Sequence, residues 1–132
     1  MLAASGLVVS TIDVVRNADL RTGDSTQGIV REVAFGRPEI TIARSRIAGG
    51  VASAWHHHGE RDLYGFLVHG HLRLEYGSRG SLAVEFDPGD FFHIPPRLVH
   101  RDVNSMRDRE ALVVNVLAGK GAAVINVDGP DD

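Results

Sequence analysis

Residues 50–76 read GVASAWHHHGERDLYGFLVHGHLRLEY, and the end of this stretch is the clearest guide to the fold. Over Leu72–Tyr76 the apolar residues Leu72, Leu74 and Tyr76 share one side of an extended chain, and Arg73 and Glu75 share the other. Side chains of a strand alternate with period two, so this is a half-buried strand. Ser53–His58 and Leu63–His69 precede it as β-type runs. Moving outward, Gly77–Gly80 reads as a hairpin turn, followed by a strand at Leu82–Phe86. In Asp87-Pro88-Gly89-Asp90, Pro88 presets φ at the first central position and Gly89 tolerates positive φ at the next, which predicts a type II turn. Phe91–Ile94 is a strand stopped by Pro95-Pro96. Leu98–Val103, Ala111–Leu117 and Ala122–Val127 follow, before a polar tail over Asp128–Asp132. Upstream, Leu7–Val15 reads as a first strand, Arg16–Gly28 as a loop, Ile29–Phe35 as a strand closed by Gly36-Arg37-Pro38, and Ile40–Ile47 as a strand ending at Gly49-Gly50. Long amphipathic helical patterns are missing. Many short strands with frequent turn signals predict an all-β sandwich or small barrel, not a βαβ fold.

The length of 132 residues suits one domain, with residues 1–37 as an arm or edge strands and a barrel core over about 38–127. The formal net charge of −3 argues against a nucleic-acid partner, and the arginines are scattered rather than gathered in a patch. With no cysteine, disulfides, thiolate metal sites and Cys nucleophiles are excluded, which fits a cytoplasmic location. No apolar run approaches the roughly 18 residues needed to span a bilayer, and Met1–Ser10 lacks the features of a signal peptide.

Seven histidines are present, three of them consecutive. On a strand His56 and His58 point to one side and His57 to the other. Two imidazoles about 7 Å apart along the backbone can converge on one ion at roughly 2.1 Å from each nitrogen. Further ligands must come from elsewhere. His100, beyond the Pro95-Pro96 stop, and Asp62, four residues after His58, are the candidates. The spacing permits ligation without requiring it; ordinary hydrogen-bonded histidines satisfy it as well.

Residues 50–70 and 89–104 resemble the two motifs of the cupins. Gly50, His56, His58 and Gly70 match the first, and Gly89, Pro95, His100 and Asn104 fall at the spacing of the second. Together the motifs cover about a quarter of the chain. Two departures stand out. Arg97 replaces the glycine of the second motif. The acidic ligand of the first motif, counted back from Gly70, falls on Leu63, which cannot ligate, while Asp62 lies one residue too far from Gly70. Asp62 reaches an ion only if the chain bulges there; otherwise the site consists of His56, His58 and His100. The resemblance implies a cupin barrel, the double-stranded β-helix or jelly roll, and one divalent metal ion.

Imidazoles with or without one carboxylate suit Fe, Mn, Ni, Co or Zn. Three protein ligands leave positions open, as catalysis requires. The resemblance therefore implies a mononuclear metal enzyme, dioxygenase-like, acting on a small organic substrate. The alternatives are a non-catalytic binding or sensing cupin, and a metal-free epimerase- or isomerase-like cupin using a histidine base. A homodimer is expected, with Leu7–Val9 adding an edge strand. Among the other residues, Glu60 is expected on a solvated turn, His57 facing away from the site, and His69 and His71 at a strand end. His93 reads as packed or exposed, with the cavity as its alternative. Asn104 reads as structural. Trp55, Tyr64, Phe66, Phe91 and Phe92 read as core or wall, with one or two bordering a pocket. Arg44, Arg46 and Arg73 read as surface residues, with a role inside the barrel as the alternative.

Overall fold

A computed structural model describes residues 10–131. Among them, eleven strands form two antiparallel sheets: β1 (Arg21–Thr22), β2 (Val30–Arg37), β3 (Ile40–Ile47), β4 (His56–His57), β5 (Asp62–His69), β6 (Leu72–Tyr76), β7 (Leu82–Phe86), β8 (Phe91–Ile94), β9 (His100–Val103), β10 (Ala111–Ala118) and β11 (Ile125–Asn126). One sheet has the order β1-β2-β3-β10-β5-β8 and the other β11-β4-β9-β6-β7. The chain crosses repeatedly between the sheets, so residues distant in sequence become neighbours. No helix among the described residues is long and apolar enough to cross a membrane.

Alternation settles which side of each strand faces inward. In β5, Leu63 and Leu67 are buried while Tyr64 and Val68 are exposed. In β10, Ala111, Val113, Asn115 and Leu117 are buried. These side chains, with Ile47, Leu72, Leu74, Phe86 and Ile94, fill the space between the sheets. Burying each large aliphatic residue contributes about 1.5–3 kcal/mol, which makes this layer the main support of the barrel.

The expected first strand is absent from the described part of Leu7–Val15. Residues 10–15 join no strand ladder, and Ile12 and Val14 are 92% and 58% exposed. A β-type composition cannot hold a strand that has no neighbour. Leu7–Val9 lie outside the described residues. Conversely, Arg16–Gly28, read as a loop, contains a 3-10 turn at Asn17–Asp19 and the short strand β1, which pairs with Val33 and Glu32 of β2. Two exposed residues carry no alternation to read. Ser53–His58, Leu98–Val103 and Ala122–Val127 shorten to β4, β9 and β11 because tight turns flank them.

The turns follow the residue types. Asp90 N–H donates to Asp87 O at 3.0 Å with Gly89 at φ +96°, as a type II turn requires. Gly70 sits at φ +88° between β5 and β6, where a Cβ would lie 2.4 Å from the Glu110 carbonyl oxygen. Asn104 is fully buried. Its amide donates to the carbonyls of Ile47 (3.0 Å) and Arg109 (2.7 Å), and its Oδ1 accepts from Met106 N–H (3.1 Å). It therefore ties the end of β3 to the loop before β10, a structural role.

Candidate metal centre

The second sheet places β4 beside β9 with His56 directly opposite His100. His58, two residues beyond His56, returns to the same inner side. Its ring centre lies 5.4 Å from that of His56 and 5.0 Å from that of His100, and the His56 and His100 rings are 4.4 Å apart. One nitrogen from each ring falls within 4.8 Å of the other two, and all three side chains are buried.

Hydrogen bonds orient the rings. The Nδ1 atoms of His56, His58 and His100 lie 3.0, 2.9 and 2.9 Å from the carbonyl oxygens of Ala54, Ala123 and Leu98. A carbonyl only accepts, so each Nδ1 carries its hydrogen and donates. In the neutral ring Nε2 then holds the lone pair, and backbone carbonyls fixing the tautomer in this way is the usual support for metal-ligating histidines. The rings are held neutral. Burial, then the neighbouring His100, takes the His56 pKa down to about 2; the same two causes take His58 down to about 3. Burial also lowers the pKa of His100. Neutral, oriented, buried imidazoles are a donor set that fits a divalent ion.

The inner face of β9 adds a carboxylate that the sequence reading missed. Asp102, two residues after His100, places Oδ1 3.6 Å from His56 Nε2 and 3.9 Å from His100 Nε2. The signal was present as His100-x-Asp102, a second same-side pair on a strand.

The histidines and Asp102 line a cavity of about 50 Å³. Its far wall comes from the other sheet and is partly polar, with Arg31, Ser45 and Asn115; Asn115 Nδ2 donates to Ser45 Oγ at 2.9 Å. Arg31 Nη1 donates to Thr26 Oγ1 at 2.7 Å and to the Asp24 carbonyl at 3.2 Å. Burial lowers the Arg31 pKa, and the carboxylates of Asp102 and Asp24 oppose that shift. These wall residues were not legible in sequence, since each comes from a different strand. A second, largely apolar cavity of about 260 Å³ shares Leu74, Phe92, Ile94 and His100 with the first.

Comparison with protein-family models finds no match, and comparison with curated proteins finds none. Solved structures do match. KdgF from Halomonas sp. superposes with a TM-score of 0.66 at 22% identity, over 84% of this chain and 96% of that one. A protein with a double-stranded β-helix domain from Klebsiella pneumoniae gives a TM-score of 0.67 at 19% identity, over 80% and 90% of the two chains. The chain has the cupin fold. A variant of oxalate decarboxylase from Bacillus subtilis matches with a TM-score of 0.70 at 16% identity, where 86% of this chain covers 31% of the larger protein. The likeness at these identities is one of fold.

Within this cupin barrel Asp62 stands apart from the three histidines. No bulge turns it inward: Leu63 is buried on the cavity side, so Asp62 falls on the outer face. There its Oδ1 accepts a hydrogen bond from His93 Nε2 at 2.7 Å, and the His93 ring stacks on Tyr64. His93 thus bonds on the outer face and also borders the second, apolar cavity. His57 points away from the centre and accepts the Gly59 N–H at Nδ1 (3.0 Å). Glu60 is exposed and bonds Arg97. His69 and His71 flank Gly70 and approach Glu110 (3.8 Å) and Glu85 (2.8 Å). Of the aromatic residues named as wall or core, Phe92 borders the cavity, whereas Phe91 and Tyr64 are 79% and 52% exposed. Arg44 and Arg46 lie outside, paired with Glu32 at 2.7 and 2.9 Å, and Arg73 bonds Glu75 at 3.0 Å.

Proposed function

We propose that the chain is a mononuclear metal-dependent enzyme, dioxygenase-like in class, that acts on a small organic substrate beside an ion held by His56, His58 and His100. The observation that carries this reading is the convergence of three buried imidazoles, each with Nδ1–H committed to a backbone carbonyl. Such an ion supplies Lewis acidity toward a carbonyl or enolate, or electrons to dioxygen if it is redox-active. The chain's own residues do the rest. Leu63, Ile94 and Val113 keep water from the inner cavity. Asn115 and Ser45 offer a donor and acceptors to a polar group held opposite the histidines. Arg31 favours negative charge on that group. The narrow inner cavity accepts a few heavy atoms, and the apolar cavity sharing His100 accepts a larger body. This supports a substrate with a compact polar head and an apolar remainder.

Fe, Mn, Ni, Co and Zn all suit the ligands. Metal analysis of protein purified without a His-tag column is expected to find one ion per chain, lost in His56→Ala and in His100→Ala. Anaerobic Fe(II) loading followed by oxygen uptake on diols, flavonols and thiols then tests turnover. Protein that takes up no metal refutes the reading. A ligand recovered unchanged would make it a binding cupin, and full activity after chelation a metal-free one. The reading treats residues 1–132 as one cytoplasmic domain forming a homodimer. The exposed apolar residues Tyr64, Phe91 and Val114 support association, and a monomeric mass at micromolar concentration would contradict it.

A further inference from the structure

We propose that Asp102 is a fourth protein ligand of the ion, so that the carboxylate of the site comes from β9 and not from β5. The inference rests on the three-histidine reading and goes beyond it. Asp102 shares the inner face of β9 with His100, and both line the same cavity. Its backbone is clamped: Asp102 N–H donates to Ser53 Oγ at 2.9 Å, and its carbonyl accepts the Ser53 N–H at 2.8 Å. The side chain is therefore aimed by strand pairing and not by a flexible loop.

Among the described residues, Asp102 Oδ1 is the one buried side-chain oxygen or nitrogen without a hydrogen-bond partner. His56 Nε2 lies 3.6 Å from it and His100 Nε2 3.9 Å, both beyond hydrogen-bond distance. Neither ring nitrogen carries a hydrogen, because each ring's proton sits on Nδ1 facing a carbonyl. A carboxylate oxygen and two lone pairs thus converge in one cavity with no donor among the three. Acceptors gathered this way repel one another unless a cation lies between them. The spacing suits one. Two ligand atoms each about 2.1 Å from one ion stand roughly 3.0 Å apart in octahedral geometry and roughly 3.4 Å apart in tetrahedral geometry, and a six-coordinate ion with four protein ligands keeps two positions open for substrate.

The departure of the first motif agrees with this. Leu63 occupies the inward position of its acidic residue and Asp62 faces outward, so β5 offers no carboxylate to the centre. Asp102 approaches the same ion from the neighbouring strand of the other sheet.

The test is titration of metal-free protein with Co(II), read by calorimetry and by the visible d–d bands. Asp102→Asn, which keeps the side chain's shape, is expected to weaken Co(II) binding at least tenfold and to shift the bands. Asp62→Asn is expected to behave as wild type. A metal-induced shift of a carboxylate stretch in the infrared difference spectrum of the wild type, lost in Asp102→Asn, gives a second readout; its absence from the wild type counts against the proposal even if the variant fails to fold. Unchanged affinity and bands in a folded Asp102→Asn protein overturn the inference and leave the histidine site standing. If the wild type binds no Co(II), or His56→Ala binds it as well as wild type, the histidine site falls and Asp102 falls with it.

Discussion

Arg97 occupies the left-handed region at φ +64°, at the place where the cupin motif has glycine. A Cβ there meets the following carbonyl oxygen, at about 1–2 kcal/mol. The turn persists because Arg97 N–H donates to the Gly59 carbonyl at 2.9 Å, joining the loop after β4 to the loop after β8. The first loop carries His58 and the second leads into His100 at the start of β9, so the strained residue helps hold the two together. The Arg97–Glu60 ion pair is about two-thirds exposed on both sides and adds little. Arg97→Gly is therefore expected to raise the unfolding free energy by about 0.5–1 kcal/mol, the strain relief less the added entropy of the unfolded chain. Arg97→Ala, which keeps the strain, is expected to give no gain. Urea titration of the three proteins checks both, and equal stability in all three would show that this φ carries no strain.

At the scale of elements, the cavity owes its shape to a missing side chain. Gly65 of β5 pairs with Phe92 of β8, and a Cβ on Gly65 would lie 2.2 Å from the Phe92 ring. The ring lies across the strand, stacks on Phe86 with centres 4.5 Å apart, and borders both cavities. Gly65→Ala is expected to force the ring aside and to cost about 1–3 kcal/mol as overpacking. Adding Phe92→Leu to that variant is expected to recover part of the loss. Thermal or urea unfolding checks the pair, and a neutral Gly65→Ala would show that Phe92 repacks freely. Alternation made β6 legible, and runs of β-type residues between turn signals gave β5, β7 and β10. β1, β4 and β11 have two residues each and display none, so their pairing was invisible.

For the whole molecule the buried histidines couple stability to pH. Unfolded imidazoles take up protons near pH 6.5, whereas His56 and His58, held to about 2 and about 3, stay neutral when folded, and His100 is lowered as well. Below pH 6.5 the unfolded state thus binds more protons, and the stability of metal-free protein falls as pH drops. The slope is at most about 1.4 kcal/mol per pH unit for each histidine. Glu32 and Glu75, lowered by their arginine partners, contribute the same sign only below their ordinary 4.5, outside the window of the test. Urea titrations at pH 7.5, 6.5 and 5.5 are expected to show this decline, and bound metal to reduce it, since ligated nitrogens exclude protons. Stability independent of pH over this window would contradict the neutral-imidazole account.

Much of this protein follows from local pattern alone. Period two fixes which strand residues face inward, so the same-side placement of His56 and His58 was readable, and motif spacing added His100. The outward direction of Asp62 was not readable, because it depends on the register that turns Leu63 to the inside of β5. Nor was the company of Asp102, Arg31 and Asn115 around the histidines, since β9, β2 and β10 meet there only through strand crossovers between two sheets. Alternation along one strand is a short-range property of the backbone, whereas a site is a long-range coincidence of several strands, and only their packing brings it about.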